Sequence, residues 1–595
     1  MSQESGGAAG LSAGETYDVV VLGAGAAGLS AAVFAALEGA RVLLVERTEY
    51  LGGTSALSAG TTWVPNTRFR DQLGAEDSPD KVLGFLDRAV GSRAPRRLRE
   101  AFVRRGPEVI HRLEDETGVR FRGRPFHPDY LYELEGATAF GRALEPQPFD
   151  GALLGEDLKL VRPPIPEFTI LGGMQIDRDD IPHLLRMKKS LRSLAYSLRI
   201  VARYYRRKWA HGRDTRLLMG NALVGRFLYE ARKRGVTIAT QTKTTHLTPL
   251  GGGAYRLRLE QGGQIREVTA SKGVVLASGG FARHPERRST MLPAPLPRVS
   301  PAAPGHTGEL HDIVLGLGAH YAEGSGQPCY WAPVSVRRRA DGSEAAFPHF
   351  VLDRSKPGII SVGRDGKRFV NESRSYHEFV SAMYAANRGD SHVPSFLIAD
   401  ARAMRKYGMG MVRPGTGNLR PFIAEGYLTK GQDLADLARQ LGIDDAGLRA
   451  TVARFNEMAG RGVDADFHRG ETVYERANGD AGHDGPNPTL RPLGEGPYYA
   501  VRLYPGDIGA ATGLVTDENA RLLTADGRVI EGLYAAGADM NSIMGGVYPG
   551  PGITLGPGIV FGAIAATHAA RRRAPGAQGA GRRVEGPLEG VMSGD

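Results

Sequence analysis

A chain of 595 residues exceeds one ordinary hydrophobic core, so two domains, or one domain with large insertions, are expected. Glycine fills 81 positions, about twice the usual share of roughly 7%, which points to a globular protein with many tight backbone approaches. The single cysteine, Cys329, excludes an internal disulfide and any cysteine-built metal site; no metal is expected, and a reducing cytoplasm fits. The net charge of +10 is concentrated, because Leu184 to Arg216 holds eleven Lys/Arg against one acid, Asp214. The remainder is balanced, so a nucleic-acid partner, which needs a basic face and a recognisable motif, is not expected.

In chain order, residues 1–16 lack the basic start and apolar core of a secretory signal and read as a flexible leader. Tyr17 to Leu22, "YDVVVL", suits a buried parallel strand. "GAGAAG" follows, placing Gly23, Gly25 and Gly28 in G-x-G-x-x-G spacing before a helix and a second strand that ends at Glu46. Gly23 permits the tight turn, Gly25 lets a pyrophosphate approach the backbone, and Gly28 lets helix pack on strand. The helix N-terminus offers free N–H groups to phosphates, and Glu46 can accept hydrogen bonds from a ribose.

Next comes "RTEYLGGTSALSAGTTWVPN", a small-residue segment with Gly53, Thr54, Ser55 and Gly60 suited to lie along an extended cofactor. Two further strand-plus-glycine units occur downstream, "GVVLASGGF" with Gly279 and "GLYAAGADMNS" with Gly537. Three separated segments converging on one cofactor point to FAD rather than NAD.

Between Gly172 and Arg216 the chain reads as a basic helical insertion. Leu184, Met187, Leu191, Leu194, Leu198, Val201 and Tyr205 recur at three- and four-residue steps, with Arg192, Arg199, Arg203 and Arg206 roughly opposite. The expectation is a core helix with a solvated basic side. The alternatives are a peripheral membrane contact through 184–208, or a subunit interface. No run of 18 apolar residues occurs, so no spanning helix is expected, and residues 573–595 read as a disordered tail.

"GGTSALSAGTTWVPN", "GNALVGRF", "GKRFVNESRSYHEF", "TVARFNE", "DADFHRGETVYER" and "GVYPGPGITLGPGIVFG" together resemble the 3-ketosteroid Δ1-dehydrogenases of the fumarate reductase/succinate dehydrogenase flavoprotein superfamily. The resemblance implies an α/β fold. A Rossmann-type, glutathione-reductase-like FAD-binding domain (17–323 and 499–572) would carry an inserted α+β catalytic domain (324–498). Succinate dehydrogenases attach FAD through a histidine after the glutamate strand; Thr48 to Gly60 has none, so FAD is expected to be non-covalent.

The same resemblance assigns the chemistry to a desaturation of a cyclic ketone. Tyr548 would donate its O–H, and Gly552 its N–H, to the substrate carbonyl. Tyr376 would take the α-proton, and Tyr130, with Tyr132 as a rival, would hydrogen-bond that base. Asn371 and Glu372 would hold the catalytic loop. Thr554 and Leu555 open a helix whose positive end would face the flavin. Relatives carry a polar residue where this chain has Ala538, so that contact is expected to pass to Asp539 or to the backbone. The implied substrate is a 3-ketosteroid, desaturated most simply at the 1,2 bond. The alternatives are a Δ4(5α)-type or other ketone desaturase, a fumarate-reductase-like enzyme, and a non-catalytic docking flavoprotein. The electron acceptor and oligomeric state have no signature in these residues.

Overall fold

The computed structural model describes residues 14–297, 299–323, 326–350 and 353–574. The predicted leader, up to residue 13, and the predicted tail, from residue 575, lie outside the described residues. Five helices carry the argument: α1 (Ala26–Leu37), α2 (Ile181–Arg186), α3 (Leu191–His211), α4 (Tyr376–Ala386) and α5 (Leu555–Arg571).

Thr16–Leu22 lies in the middle of a sheet, in parallel with Val42–Val45 on one side and Gln264–Leu276 on the other. Val42–Val45 carries Thr237–Ala239 and Gln264–Leu276 carries Val529–Ala535, again in parallel. Strands such as "VLLV" are buried at every position, as a parallel sheet covered on both faces demands. α1 and α5 pack together tightly: a Cβ on Gly562 would stand 2.3 Å from the Ala27 carbonyl oxygen. That contact joins the two ends of the chain.

A second sheet is antiparallel, in the order Glu344–Pro348, Cys329–Arg338, Tyr498–Ala510, Ser395–Asp400, Ile359–Val362. The expected return to the first domain after Tyr498 is corrected here. Tyr498–Ala510 is a central strand of the second sheet, with both edges taken by Cys329–Arg338 and Ser395–Asp400. The chain rejoins the first sheet only at Arg521–Leu523.

The predicted single helix from Leu184 is also corrected. It breaks into α2 and α3, and Ser190 restarts it by accepting the Ser193 N–H. The inward face of α3 is Ser193, Ser197, Ile200 and Tyr204, packed with Met174 in a small core of its own. The face expected to be buried is only partly so: Leu184, Leu194 and Val201 are half-buried, while Leu191 is 85% and Leu198 59% exposed. Two small serines let α3 approach the insertion closely, and Tyr204 donates its hydroxyl to the Leu171 carbonyl at 3.0 Å.

Below the second sheet, Glu372 is fully buried and takes both Arg368 (2.8 Å) and Arg469 (3.1 Å). Its other oxygen accepts the Ser361 N–H at 3.0 Å, and Arg368 also pairs with Asp464 at 2.7 Å. Asn371 donates to the Phe467 carbonyl at 3.1 Å. These bonds fix the loop that leads into α4. Glu372→Ala would leave the buried Arg469 without a carboxylate and Arg368 with Asp464 alone, and is expected to cost about 3–5 kcal/mol. Urea unfolding of the purified protein checks this; an unchanged midpoint would count against it.

Candidate active site

The turn after Thr16–Leu22 is forced by its glycines. Gly23 has φ +107, and a Cβ there would stand 2.3 Å from the Ala277 carbonyl oxygen. A Cβ on Gly28 would meet the Gly23 carbonyl oxygen at 1.8 Å, so Gly28 serves helix packing and does not itself line the cavity described next. Gly25, by contrast, is open: its Cβ would meet only the Ser55 hydroxyl, at 3.7 Å.

A cavity of about 740 Å³ opens there and runs from the first domain into the second. Gly23, Gly25, Glu46, Gly53, Thr54, Ser55 and Gly60 line one part of it. Gly279, Gly537, Thr554 and Leu555 line it from the later segments. Glu46 is held in place by the Ala24 N–H (3.0 Å) and the Thr48 N–H (2.8 Å). The N-terminus of α5 meets the cavity through Thr554, Leu555, Pro557 and Gly558, presenting a positive dipole end.

Asp539 departs from expectation. Its carboxylate is fully buried, does not line the cavity, and accepts the Ser278 and Gly280 N–H groups and His311 Nε2 at 2.9 Å. The residue ties the loop after Gln264–Leu276 to the loop after Val529–Ala535. These donors and His311 hold its carboxyl below the usual carboxylate range despite burial.

At the other end three phenols meet. The Tyr130 and Tyr376 hydroxyl oxygens lie 3.4 Å apart. Tyr548 stacks on Tyr130 with centroids 5.5 Å apart and meets Tyr376 edge-on at 5.2 Å. Tyr132 does not line the cavity, whereas Tyr130 does. Tyr376 is the first residue of α4, capped by Ser375, whose hydroxyl accepts the Glu378 N–H at 3.2 Å. Gly552 has φ +89, and a Cβ there would lie 2.2 Å from the Thr61 carbonyl oxygen. Its carbonyl accepts the Trp63 N–H at 3.2 Å, while its own N–H donates to no protein acceptor among the described residues.

Burial pushes the Tyr376 phenol well above its ordinary pKa of about 10, and the neighbouring phenols push the same way. Burial raises Tyr130 and Tyr548 too, so all three hydroxyls carry their protons in the resting site. Arg124 lines the same cavity and opposes the rise at Tyr130. Burial lowers Arg124 to about 10, which leaves it a cation at neutral pH.

Several cavity residues escaped sequence reasoning. Tyr330 packs edge-on against Tyr548 at 5.1 Å, and Tyr474 lies 4.8 Å from Tyr130 with its buried hydroxyl unpartnered. Tyr474 falls within the motif "DADFHRGETVYER", which was a usable signal; Tyr330 had none. His306 contacts Thr54 Oγ1 at 3.4 Å while its buried Nδ1 has no partner. Desolvation lowers its pKa to about 4, so it is neutral.

The first-domain half fits a dinucleotide flavin. It has an open glycine at a helix N-terminus, a fixed carboxylate, and a buried imidazole nitrogen still wanting a partner. Among the described residues no cluster of His, Cys, Asp and Glu is arranged to hold a metal ion.

Comparison with known proteins agrees. The FAD binding domain family matches residues 18–555, so the protein is an FAD-dependent oxidoreductase and its cofactor is FAD. The 4-oxocyclohex-2-ene-1-carboxylate 5-dehydrogenase of Sinomonas cyclohexanicum is 36% identical over 93% of this chain and 94% of its own length. The 3-oxosteroid 1-dehydrogenase of Mycolicibacterium smegmatis is 34% identical over 94% of this chain and 99% of its own. The crystal structure of 3-ketosteroid Δ1-dehydrogenase from Sterolibacterium denitrificans with 1,4-androstadiene-3,17-dione has a TM-score of 0.85 at 33% identity, covering 93% and 99% of the two chains. The chain belongs to the 3-ketosteroid Δ1-dehydrogenase family.

Gly25→Val fills the open approach beside α1 and is expected to yield protein without yellow colour. The flavin absorbance relative to protein measures this, with circular dichroism checking that the fold survives. Full flavin occupancy in the variant would contradict the assignment of Gly25 to the cofactor.

Proposed function

We propose that the protein desaturates a 3-ketosteroid in ring A, most directly at the 1,2 bond, using non-covalent FAD. The observation that carries the reading is the Tyr548 hydroxyl and the unclaimed Gly552 N–H in one cavity with the Tyr376–Tyr130 hydroxyl pair. Cyclic ketones are the shared feature of the relatives' names, and the walls beside the phenols include the apolar Phe350 and Ile508.

The ketone oxygen lies between the Tyr548 O–H and the Gly552 N–H. Burial keeps Tyr548 protonated, as a donor must be. Two donors aimed at a developing enolate oxygen in a dry site contribute several kcal/mol. The α-proton passes to Tyr376 Oη. Because that phenol is already protonated, it must hand its own proton on as it accepts the new one; Tyr130, its hydrogen-bonded neighbour and protonated too, releases its own proton in turn to solvent in the cavity. The N-terminus of α4 favours negative charge on Tyr376 by about 0.3–1 kcal/mol, too little to offset burial alone. Bound FAD supplies the acceptor for the hydride that leaves the β-carbon, and the ring double bond forms between the two carbons.

A second reading is favoured by two relatives, the one at 36% identity named for 4-oxocyclohex-2-ene-1-carboxylate and one at 33% named for 4-oxocyclohexanecarboxylate: such a small keto acid as substrate, with Arg122, Arg124 and Arg178 at the cavity as carboxylate partners. Anaerobic bleaching of the flavin separates the two. Reduction by 4-androstene-3,17-dione and by neither 4-oxocyclohexanecarboxylate nor 4-oxocyclohex-2-ene-1-carboxylate is expected, with the 1,4-diene as product. Bleaching by the small acid alone would replace the steroid reading, a product unsaturated elsewhere would replace the 1,2 assignment, and no bleaching by any ketone would remove both. Flavin released intact by acid precipitation is the outcome expected of non-covalent attachment.

Tyr376→Phe should retain FAD and lose at least ~10²-fold in the rate of flavin reduction. The wild-type rate should rise with pH between about 6 and about 9, because the deprotonated fraction of a phenol with a raised pKa grows throughout that range. A near-normal rate in the variant would take Tyr376 out of the base role.

A further inference from the structure

We infer that the preferred substrate is a ketosteroid whose side chain ends in a carboxylate, held at the cavity mouth by Arg124 and Arg178. The inference rests on the steroid reading above and names the far end of that substrate. Arg124 carries it. Its side chain is only 22% exposed, yet its guanidinium makes no hydrogen bond to protein among the described residues. The buried Nε lies 3.2 Å from Glu145 Oε1 but out of line for a hydrogen bond, and the two terminal nitrogens reach no protein acceptor. The residue lines the cavity, so its donors are available to what enters there. A mostly buried guanidinium without hydrogen bonds is costly, and a carboxylate can accept two parallel N–H bonds from it.

Charge sets the sign of the ligand. Arg122, Arg124 and Arg178 gather on Glu145, at 3.3, 3.2 and 2.5 Å from its oxygens. Arg122 has a second carboxylate in Asp177 at 3.3 Å and an exposed third in Asp179 at 3.7 Å. Arg124 and Arg178 have Glu145 alone among the described residues, and both address the same oxygen, Oε1. One carboxylate therefore serves two cations, and one further negative charge completes the cluster. His127 lines the same wall. Burial, with Arg124 and Arg178 pushing the same way, holds its imidazole well below its ordinary pKa, so it is neutral and adds no competing anion.

Depth sets its length. Tyr130, Tyr376 and Tyr548 are buried, whereas Phe126 and Ile181 line the same cavity, are about half exposed and mark its mouth. Arg124 stands two residues before Phe126 and Arg178 three before Ile181, so cations and apolar side chains alternate at the rim. The Arg178 side chain is itself about half exposed, so a carboxylate it holds sits near the surface while the ketone sits among buried phenols. A steroid nucleus with a short side chain fits that difference in depth, whereas a single ring would bring both groups to nearly the same depth. Pro128, Ile165 and Ile176 add apolar wall for the rings between the two ends.

The test compares 3-oxochol-4-en-24-oic acid with its methyl ester, which differ in charge at that end alone. Each is given anaerobically to the holoenzyme, and kcat/KM is read from flavin bleaching. The acid is expected to exceed the ester by at least ~10-fold, the scale of a charge-assisted hydrogen bond, and by less as salt rises. Arg124→Met with Arg178→Met should bring the two substrates level. The ratio of acid to ester cancels any change at the phenols, which both substrates meet alike. Arg178→Met alone, at the half-exposed rim, should lower the ratio roughly 3-fold and supplies the answer where the double variant loses its flavin. An acid no faster than its ester overturns the inference, as does a preference that these exchanges leave intact. Bleaching by 4-oxocyclohexanecarboxylate and not by the steroid acid assigns the arginines to a one-ring substrate and also overturns it. Flavin left oxidised by every steroid fails the steroid reading and the inference together. The ester tells the two failures apart, because it still bleaches the flavin when the inference alone is wrong.

Discussion

The hydrogen bond from the Tyr130 N–H to the Pro549 carbonyl, 2.8 Å long, is the constraint on which the site depends. It pins a loop of the first domain to the turn that carries Tyr548 and Gly552, more than four hundred residues later in the chain. On one side the Trp63 indole donates to Asp129 at 2.8 Å, and Asp129 pairs with Arg142 at 2.8 Å, which pairs with Asp77 at 2.7 Å. On the other, Gly552 accepts from the Trp63 N–H. The buried ions have little freedom to relax, so the stacked rings of Tyr130 and Tyr548 inherit their positions from backbone. Tyr376 arrives from the second domain, set by the Glu372 cluster and the start of α4.

That assembly gathers phenols where none ionises easily. Desolvation and like neighbours both work against a resting phenolate, and Arg124 counters them at Tyr130. One pKa unit corresponds to about 1.4 kcal/mol, so a helix terminus alone changes little. A site of this kind suits proton transfer that is coupled along a pair of hydroxyls rather than a stored negative charge. The same desolvation makes Tyr548 a dependable donor, so one physical cause serves two opposite requirements.

Local chemistry explains what was legible in the sequence. The glycine turn after Tyr17–Leu22 announces itself because only glycine tolerates φ +107 at Gly23 and a carbonyl packed against Gly28. The turn at Gly545 to Gly558 is legible for the same reason. Asp539 was misread because its position in the chain is one residue from a cavity-lining place, and in the short 3-10 turn Gly537–Asp539 successive side chains point in different directions. Its true partners, Ser278, Gly280 and His311, are more than two hundred residues distant, beyond any local pattern. Tyr330 and His306 likewise gain their places only from tertiary packing. The domain junction was misplaced because a central antiparallel strand such as Tyr498–Ala510 is as apolar as a parallel one.

The insertion separates two properties that sequence patterns tend to merge. Periodicity at three and four residues establishes that one side of α3 is apolar, but not that the apolar side is inside. Which side is buried depends on what stands opposite, and here the body of the protein offers Met174 and the Leu171 carbonyl to a face of serine, isoleucine and tyrosine. Close approach through small side chains, with a tyrosine hydroxyl satisfied on backbone, outweighs burying a leucine stripe that has no groove to enter.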